Sequence, residues 1–226
     1  MEKEKKVSIK EQQDIFKLIG NSLKEKTECY AVGGTAMMFL GLKEVTKDID
    51  LLFKKKEDYE QMKDVLLDLG AKETETIIIN REKVSAVLSL GNARFDLFLE
   101  HLIHFELTDS IIARVKEVHE FNNLIIKILS PDDVILFKSM ADRQSDKIDV
   151  NEIIKRTNVD WKAILTEAEL QTKNSEFFFS AFLYSFLISV REDFKIEIPK
   201  EFMKELEKKN EEALLKAYKR LKKRKL

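Results

Sequence analysis

Tyr30-Ala-Val-Gly33-Gly34-Thr35-Ala-Met-Met-Phe-Leu-Gly41, followed closely by Thr46-Lys-Asp48-Ile-Asp50-Leu-Leu-Phe53, is the stretch on which the reading of this chain turns. Asp48 to Phe53 alternates acid and apolar residues and then becomes continuously apolar, the pattern of a strand entering a core. Residues two apart on a strand share a face, so Asp48 and Asp50 point the same way and Ile49 the other. Upstream, Cys29 to Val32 reads as a short strand, Gly33-Gly34 as a tight turn, and Thr35 to Leu40 as a helix. Two consecutive residues without Cβ let the backbone approach a ligand closely. Their amides, with Thr35 at the helix start, can hold phosphate oxygens. The plainer alternative is a steric turn, since the longer Rossmann fingerprint and the Lys-Ser or Lys-Thr ending of a P-loop are both missing.

Paired acids on an apolar strand repel one another, and bound divalent cations remove that difficulty. An Asp-x-Asp also occurs at solvated strand ends, and Thr46-Lys47 would suit a surface loop. A third acid strengthens the metal reading. In Arg94-Phe95-Asp96-Leu97-Phe98, Asp96 points away from Phe95 and Leu97, and a neighbouring strand would bring it to the pair. Three carboxylates are hard oxygen ligands suited to magnesium or manganese. His101, His104 and His119 lack the spacing and helical setting of a zinc site, and His101 and His104 read as ordinary strand or loop residues.

Further out, Ile15, Leu18, Ile19 and Leu23 mark a helix within 9–26, and Tyr59, Met62, Leu66 and Leu69 mark another that Gly70 stops. Glu75 to Ile79, Val84 to Leu90 and Arg94 to Leu99 read as antiparallel strands, the last two joined at Gly91-Asn92. Val115 to Val118 and Leu124 to Leu129 form a hairpin about Asn122-Asn123. Ser130-Pro131-Asp132-Asp133 is a helix start, with a serine cap, proline in the first turn and two acids near the positive end of the dipole. Helices are predicted over Pro131 to Met140, Lys147 to Arg156, Trp161 to Gln171, Phe177 to Val190 and Pro199 to Lys223. The division is therefore a mixed α/β unit over 1–129 and a helical unit over 130–226. The aromatic stripe Phe177, Phe178, Phe179, Phe182, Tyr184, Phe186 suits the core of a helical bundle better than a nucleic-acid stacking surface.

Composition narrows the function classes. The chain has 226 residues, with 40 basic and 41 acidic side chains that nearly cancel, so no global field steers it toward nucleic acid. Lys216 to Leu226 carries seven basic residues and no acid, a solvated terminus or a local phosphate contact. The lone Cys29, at the head of an apolar run, reads as a buried thiol in a reducing compartment. Phe177 to Val190 is too short for a membrane span, and no signal-like segment follows the charged start. The sequence thus predicts a cytoplasmic protein with no membrane partner.

Gly33-Gly34, an interval of thirteen residues, Asp48-Ile49-Asp50 and the later Asp96 together resemble the signature of the nucleotidyltransferase superfamily of the DNA polymerase β type. Ala31-Val-Gly-Gly-Thr-Ala-Met and Leu129-Ser-Pro-Asp-Asp-Val-Ile-Leu-Phe-Lys138 are similar to the branch of minimal nucleotidyltransferases and abortive-infection toxin-like proteins. The resemblance covers roughly 10 to 155. It implies an α+β fold, a mixed sheet with flanking helices followed by a C-terminal helical region. It also implies Asp48, Asp50 and Asp96 as catalytic metal ligands for Mg2+ or Mn2+, a nucleoside triphosphate donor against Gly33, Gly34 and Thr35, and Lys138 reaching phosphate or acceptor. Lys138 reads equally as surface charge, and Arg143, Asp146 and Asp149 as either a cleft lining or helix salt bridges. The acceptor is an RNA, a protein hydroxyl or a small molecule. The competing class is a non-catalytic nucleotide-binding or interaction module, such as a toxin–antitoxin or defence partner. A homodimer would use the helical half, and a protein partner is the other expectation.

Overall fold

The computed structural model describes residues 6–79, 82–102, 104–141, 143–175 and 177–223. Along the chain run β1 (Val7–Ser8), α1 (Ile9–Ser22), β2 (Thr27–Ala31), α2 (Gly33–Phe39), β3 (Val45–Thr46), β4 (Asp48–Phe53), α3 (Lys56–Asp68), β5 (Lys72–Ile79), β6 (Glu82–Leu90) and β7 (Ala93–Leu99). There follow β8 (His101–Leu102), β9 (Phe105–Glu106), α4 (Asp109–Ala113), β10 (Glu117–Phe121) and β11 (Leu124–Ile128), and then helices α5 (Pro131–Lys138), α6 (Gln144–Arg156), α7 (Trp161–Asn174), α8 (Phe179–Phe194) and α9 (Lys200–Lys223). The architecture is mixed α+β, a central sheet flanked by helices with a helical C-terminal stretch. The chain separates between Ser130 and Pro131 into two compact units.

In the first unit one seven-stranded sheet has the order β10-β11-β2-β4-β7-β6-β5. The strands from β5 to β7 pair antiparallel, as their alternation and the Gly91-Asn92 turn predict. What local patterning does not show is that β4 lies parallel to β7 and antiparallel to β2, while β11 lies parallel to β2. This places the acid-bearing strand in the middle of the sheet, where Ile49, Leu51, Leu52 and Phe53 have no exposed surface. Helix α3 packs against β2 and β7, with Tyr59, Met62 and Leu66 buried. It ends as predicted at Gly70, whose φ is +92° and whose N–H donates to Leu67 O at 2.9 Å.

Helix α1 starts from a reciprocal cap. Ser8 N–H donates to Glu11 Oε2 at 2.8 Å while Ser8 Oγ accepts from Glu11 N–H at 3.4 Å. Its buried face differs from the apolar stripe: Gln12, Phe16, Ile19 and Gly20 face inward, and Leu18 is 48% exposed. Gly20 sets that rotation, because a Cβ there would lie 1.7 Å from Phe121 O, so the helix rests with its glycine against the β10–β11 hairpin. The hairpin turns at Asn122-Asn123 as expected, with Asn122 at φ +54°, but its first strand begins at Glu117 rather than Val115.

In the second unit Asp132 Oδ1 accepts the Asp160 N–H at 3.0 Å, and Asp160 in turn caps α7 by accepting the Ala163 N–H at 2.9 Å. The aromatic stripe splits. Phe179 and Phe186 are buried beside Leu183, Leu187 and Val190, whereas Phe177 and Phe182 are exposed. Helix α8 ends at Lys195, φ +54°. Tyr184 then donates to Glu207 at 2.8 Å, and Trp161 stands 4.8 Å from Phe202 between ring centres, joining α8 and α7 to α9. Side chains of the basic run are largely outside the described residues, as are positions 224–226 and Asp142. Among the described residues no helix is long and apolar enough to cross a membrane.

Candidate active site

Strand register brings the acids together. On the parallel pair β4–β7, Asp50 is the direct partner of Asp96, and Asp48 is the partner of Arg94. Neighbouring strands lie about 4.8 Å apart. Since 48, 50, 94 and 96 share a pleat face, all four side chains stand on one side of the sheet. Asp48 and Asp50 are half-buried, consistent with a site at the rim of a core rather than inside it.

The Gly33-Gly34 turn closes against the same carboxylates. Val32 N–H donates to Asp50 O at 3.2 Å, fixing the chain that enters the turn. Gly33 has φ +54°, and a Cβ there would come within 2.9 Å of Asp50 Oδ2, so both conformation and space call for glycine. At Gly34 a Cβ would meet Thr46 Oγ1 at 2.5 Å. Thr35, fully buried, turns its hydroxyl to the strand: Oγ1 accepts the Asp50 N–H at 3.0 Å and donates to Asp48 O at 3.5 Å. One hydroxyl therefore ties α2 to the backbone on either side of Ile49.

Two cations near this face had no signal in the sequence pattern. Arg94 lays its guanidinium on the acids, with Nε 2.8 Å from Asp96 Oδ1, Nη2 3.2 Å from Asp96 Oδ2 and Nε 3.4 Å from Asp48 Oδ1. Lys43 Nζ lies 3.8 Å from the position a Gly34 Cβ would take, so a cation borders the turn. An arginine in a strand reads as exposed charge, and a lysine in a loop likewise, until register and turn geometry are known. One row further along the same face, Lys127 pairs with Glu28 at 2.6 Å and sits 5.5 Å from the Tyr30 ring centre. Burial alone would lower the Lys127 pKa, but the Glu28 carboxylate and Tyr30 raise it.

Lys138 is described within the helical unit. Its Nζ is 2.7 Å from Asp146 Oδ1 and 2.8 Å from Asp149 Oδ2, and its side chain is 10% exposed. Arg143 Nε adds a contact to Asp146 Oδ2 at 2.7 Å. The two Lys138 pairs hold α5 to α6. His101 and His104 lie about the short β8–β9 hairpin, and His119 contacts Glu117 at 2.8 Å.

Among the described residues no group of three or more His, Cys, Asp or Glu side chains is arranged to hold a metal ion. Asp48 and Asp96 face Arg94 instead. The donor chemistry still suits a hard divalent cation, since carboxylate oxygens from adjoining strands share one face beside a backbone turn.

The chain belongs to the family described as nucleotidyl transferase of unknown function (DUF2204), whose model matches residues 12–181. No curated protein matches it. Among solved structures it is similar to an antigenic nucleotidyltransferase-like protein from Paracoccidioides brasiliensis, at 14% identity over 84% of this chain and 91% of that one, TM-score 0.47. It is also similar to JHP933 from Helicobacter pylori, at 14% identity over 94% of each chain, TM-score 0.37.

Proposed function

We propose that the chain transfers a nucleoside monophosphate from a nucleoside triphosphate to an acceptor hydroxyl and releases pyrophosphate, within the DNA polymerase β type superfamily and its branch of minimal and abortive-infection toxin-like nucleotidyltransferases. The observation that carries the reading is the alignment of Asp50 with Asp96 across β4–β7, with the Gly33 turn pressed against the Asp50 carboxylate. Asp48, Asp50 and Asp96 would hold Mg2+ or Mn2+, which supplies positive charge to the triphosphate and lowers the cost of forming the attacking oxyanion. Gly33 and Gly34 give the phosphates backbone amides with no side chain in the way, and Lys43 borders that turn. Thr35 acts through position, keeping Asp48 and Asp50 in place by its bonds to their backbone. In the transfer the acceptor oxygen bonds the α-phosphorus as the bond to the bridging oxygen breaks; pyrophosphate leaves with that electron pair, and Asp96 takes the hydroxyl proton. Lys138 would have to exchange Asp146 and Asp149 for a phosphate or acceptor to act in this reaction. Acceptor classes are RNA, a protein hydroxyl or a small molecule.

A second reading, a nucleotide-binding or interaction module without turnover in a toxin–antitoxin or defence setting, is favoured by one observation, the Arg94 fork lying on two of the three acids. Pyrophosphate release and label transfer from each α-labelled nucleoside triphosphate, with magnesium and pools of RNA, protein and small molecules, separate the two. Transfer by the native chain that disappears in Asp48→Asn/Asp50→Asn is the expected result. Magnesium-dependent nucleotide binding without release would give the second reading precedence.

A further inference from the structure

We infer that Arg94 is a built-in counterion of the acid site, holding Asp48 and Asp96 in the metal-free protein and competing with the divalent cation that replaces it. The inference rests on reading Asp48, Asp50 and Asp96 as a divalent-cation site. Arg94 and Asp96 are two apart on β7, and Asp48 is the register partner of Arg94 on β4, so the guanidinium reaches both carboxylates from one backbone position. Its fork takes both oxygens of Asp96, at 2.8 and 3.2 Å, and Nε also lies 3.4 Å from Asp48. A cation that takes Asp96 as ligand draws on the same two oxygens, and its charge opposes the guanidinium held there. Unscreened, acids grouped on one strand face would repel; a guanidinium relieves this with planar two-point bonding that an ammonium does not match. The Arg94 side chain is 47% exposed and can swing into water, whereas Asp96, at 17%, stays. The same residue thus stabilises the site without metal and sets how tightly metal binds.

The test is Mn2+ affinity of the full-length chain, read by electron paramagnetic resonance without nucleotide, together with the melting temperature in chelator. Arg94→Met is expected to bind Mn2+ about tenfold more tightly than the native chain, a coupling of ordinary size for groups in direct contact. In chelator the same variant should melt lower than native, and Mn2+ should raise its melting temperature by more than it raises the native one. Arg94→Lys keeps the charge but loses the fork, and should bind more tightly than native and less tightly than Arg94→Met; it carries the comparison if the methionine variant does not fold. Native binding that Asp96→Asn abolishes, with neither Arg94 variant any tighter, overturns the counterion role and leaves the metal site standing. Absence of Mn2+ binding in all variants and the native chain overturns both.

Discussion

Thr35 concentrates several consequences in a single hydroxyl. It is fully buried, accepts the Asp50 N–H and donates to Asp48 O, so removing it strands a backbone donor beside the acid pair. Thr35→Val keeps the shape and deletes the bonds. It is expected to cost about 1–3 kcal/mol, the penalty of an unpaired buried amide, measured by urea unfolding, with Thr35→Ser recovering most of it. The sequence marks Thr35 as a helix-start residue able to face phosphate, and its hydroxyl instead faces the strand. The difference is physical: a hydroxyl within reach of a strand backbone is recruited by that backbone, and its reach depends on the β2–β4 pairing, which composition does not encode. Asp48, Asp50 and Asp96 were legible as one-faced strand acids because period-two alternation is local. That Arg94 covers two of them was not, because its partner Asp48 comes from another strand.

The helices α5 and α6 are joined by charge as well as packing. Burial would raise the Asp146 pKa, but the Arg143 hydrogen bond and the Lys138 charge outweigh it and leave the carboxyl below its usual range. Burial likewise opposes the Lys138 charge, and Asp149 and Asp146 overcome it, raising that pKa. The two shifts stabilise the folded protein in complementary windows. Asp146 contributes fully above the ordinary carboxylate range and loses its contribution as pH falls through its lowered value. Lys138 contributes fully below the ordinary lysine range and loses its contribution as pH rises through its raised value. Lys138→Met leaves buried acids short of their cation and should cost about 3 kcal/mol at neutral pH, with a shallower dependence of stability on pH in acid. Trp161 on α7 is the chain's single tryptophan, so its fluorescence during urea unfolding follows this unit directly. At this scale the sequence located all five helices after Ser130 to within a few residues, since caps and apolar spacing are local signals. The apolar spacing that marked α1 did not show which face is buried, because one glycine against Phe121 O outweighs the greater apolarity of Leu18.

Across the whole molecule, the first unit is organised around the central strands β2 and β4, and Cys29 on β2 has no exposed surface. Burial, with Asp58 and Glu28 nearby, pushes its thiol far above the ordinary range, so it is neither accessible nor ionised. The native chain at neutral pH should therefore leave a disulfide reagent such as DTNB unreacted on mixing, and guanidinium unfolding should release one equivalent. Rapid reaction of the folded chain would show that β2 is uncovered. The path of the chain through this sheet adds a constraint on synthesis. β2 receives β11, its parallel partner, from almost a hundred positions later in the chain. During translation one edge of β2 must wait for that late strand, and contacts so distant in sequence slow folding. A ribosome stalled before Leu124 would hold a nascent chain with an open, apolar strand edge of the kind that recruits other strands. The hairpin β10–β11 is thus the piece whose arrival covers that edge of β2.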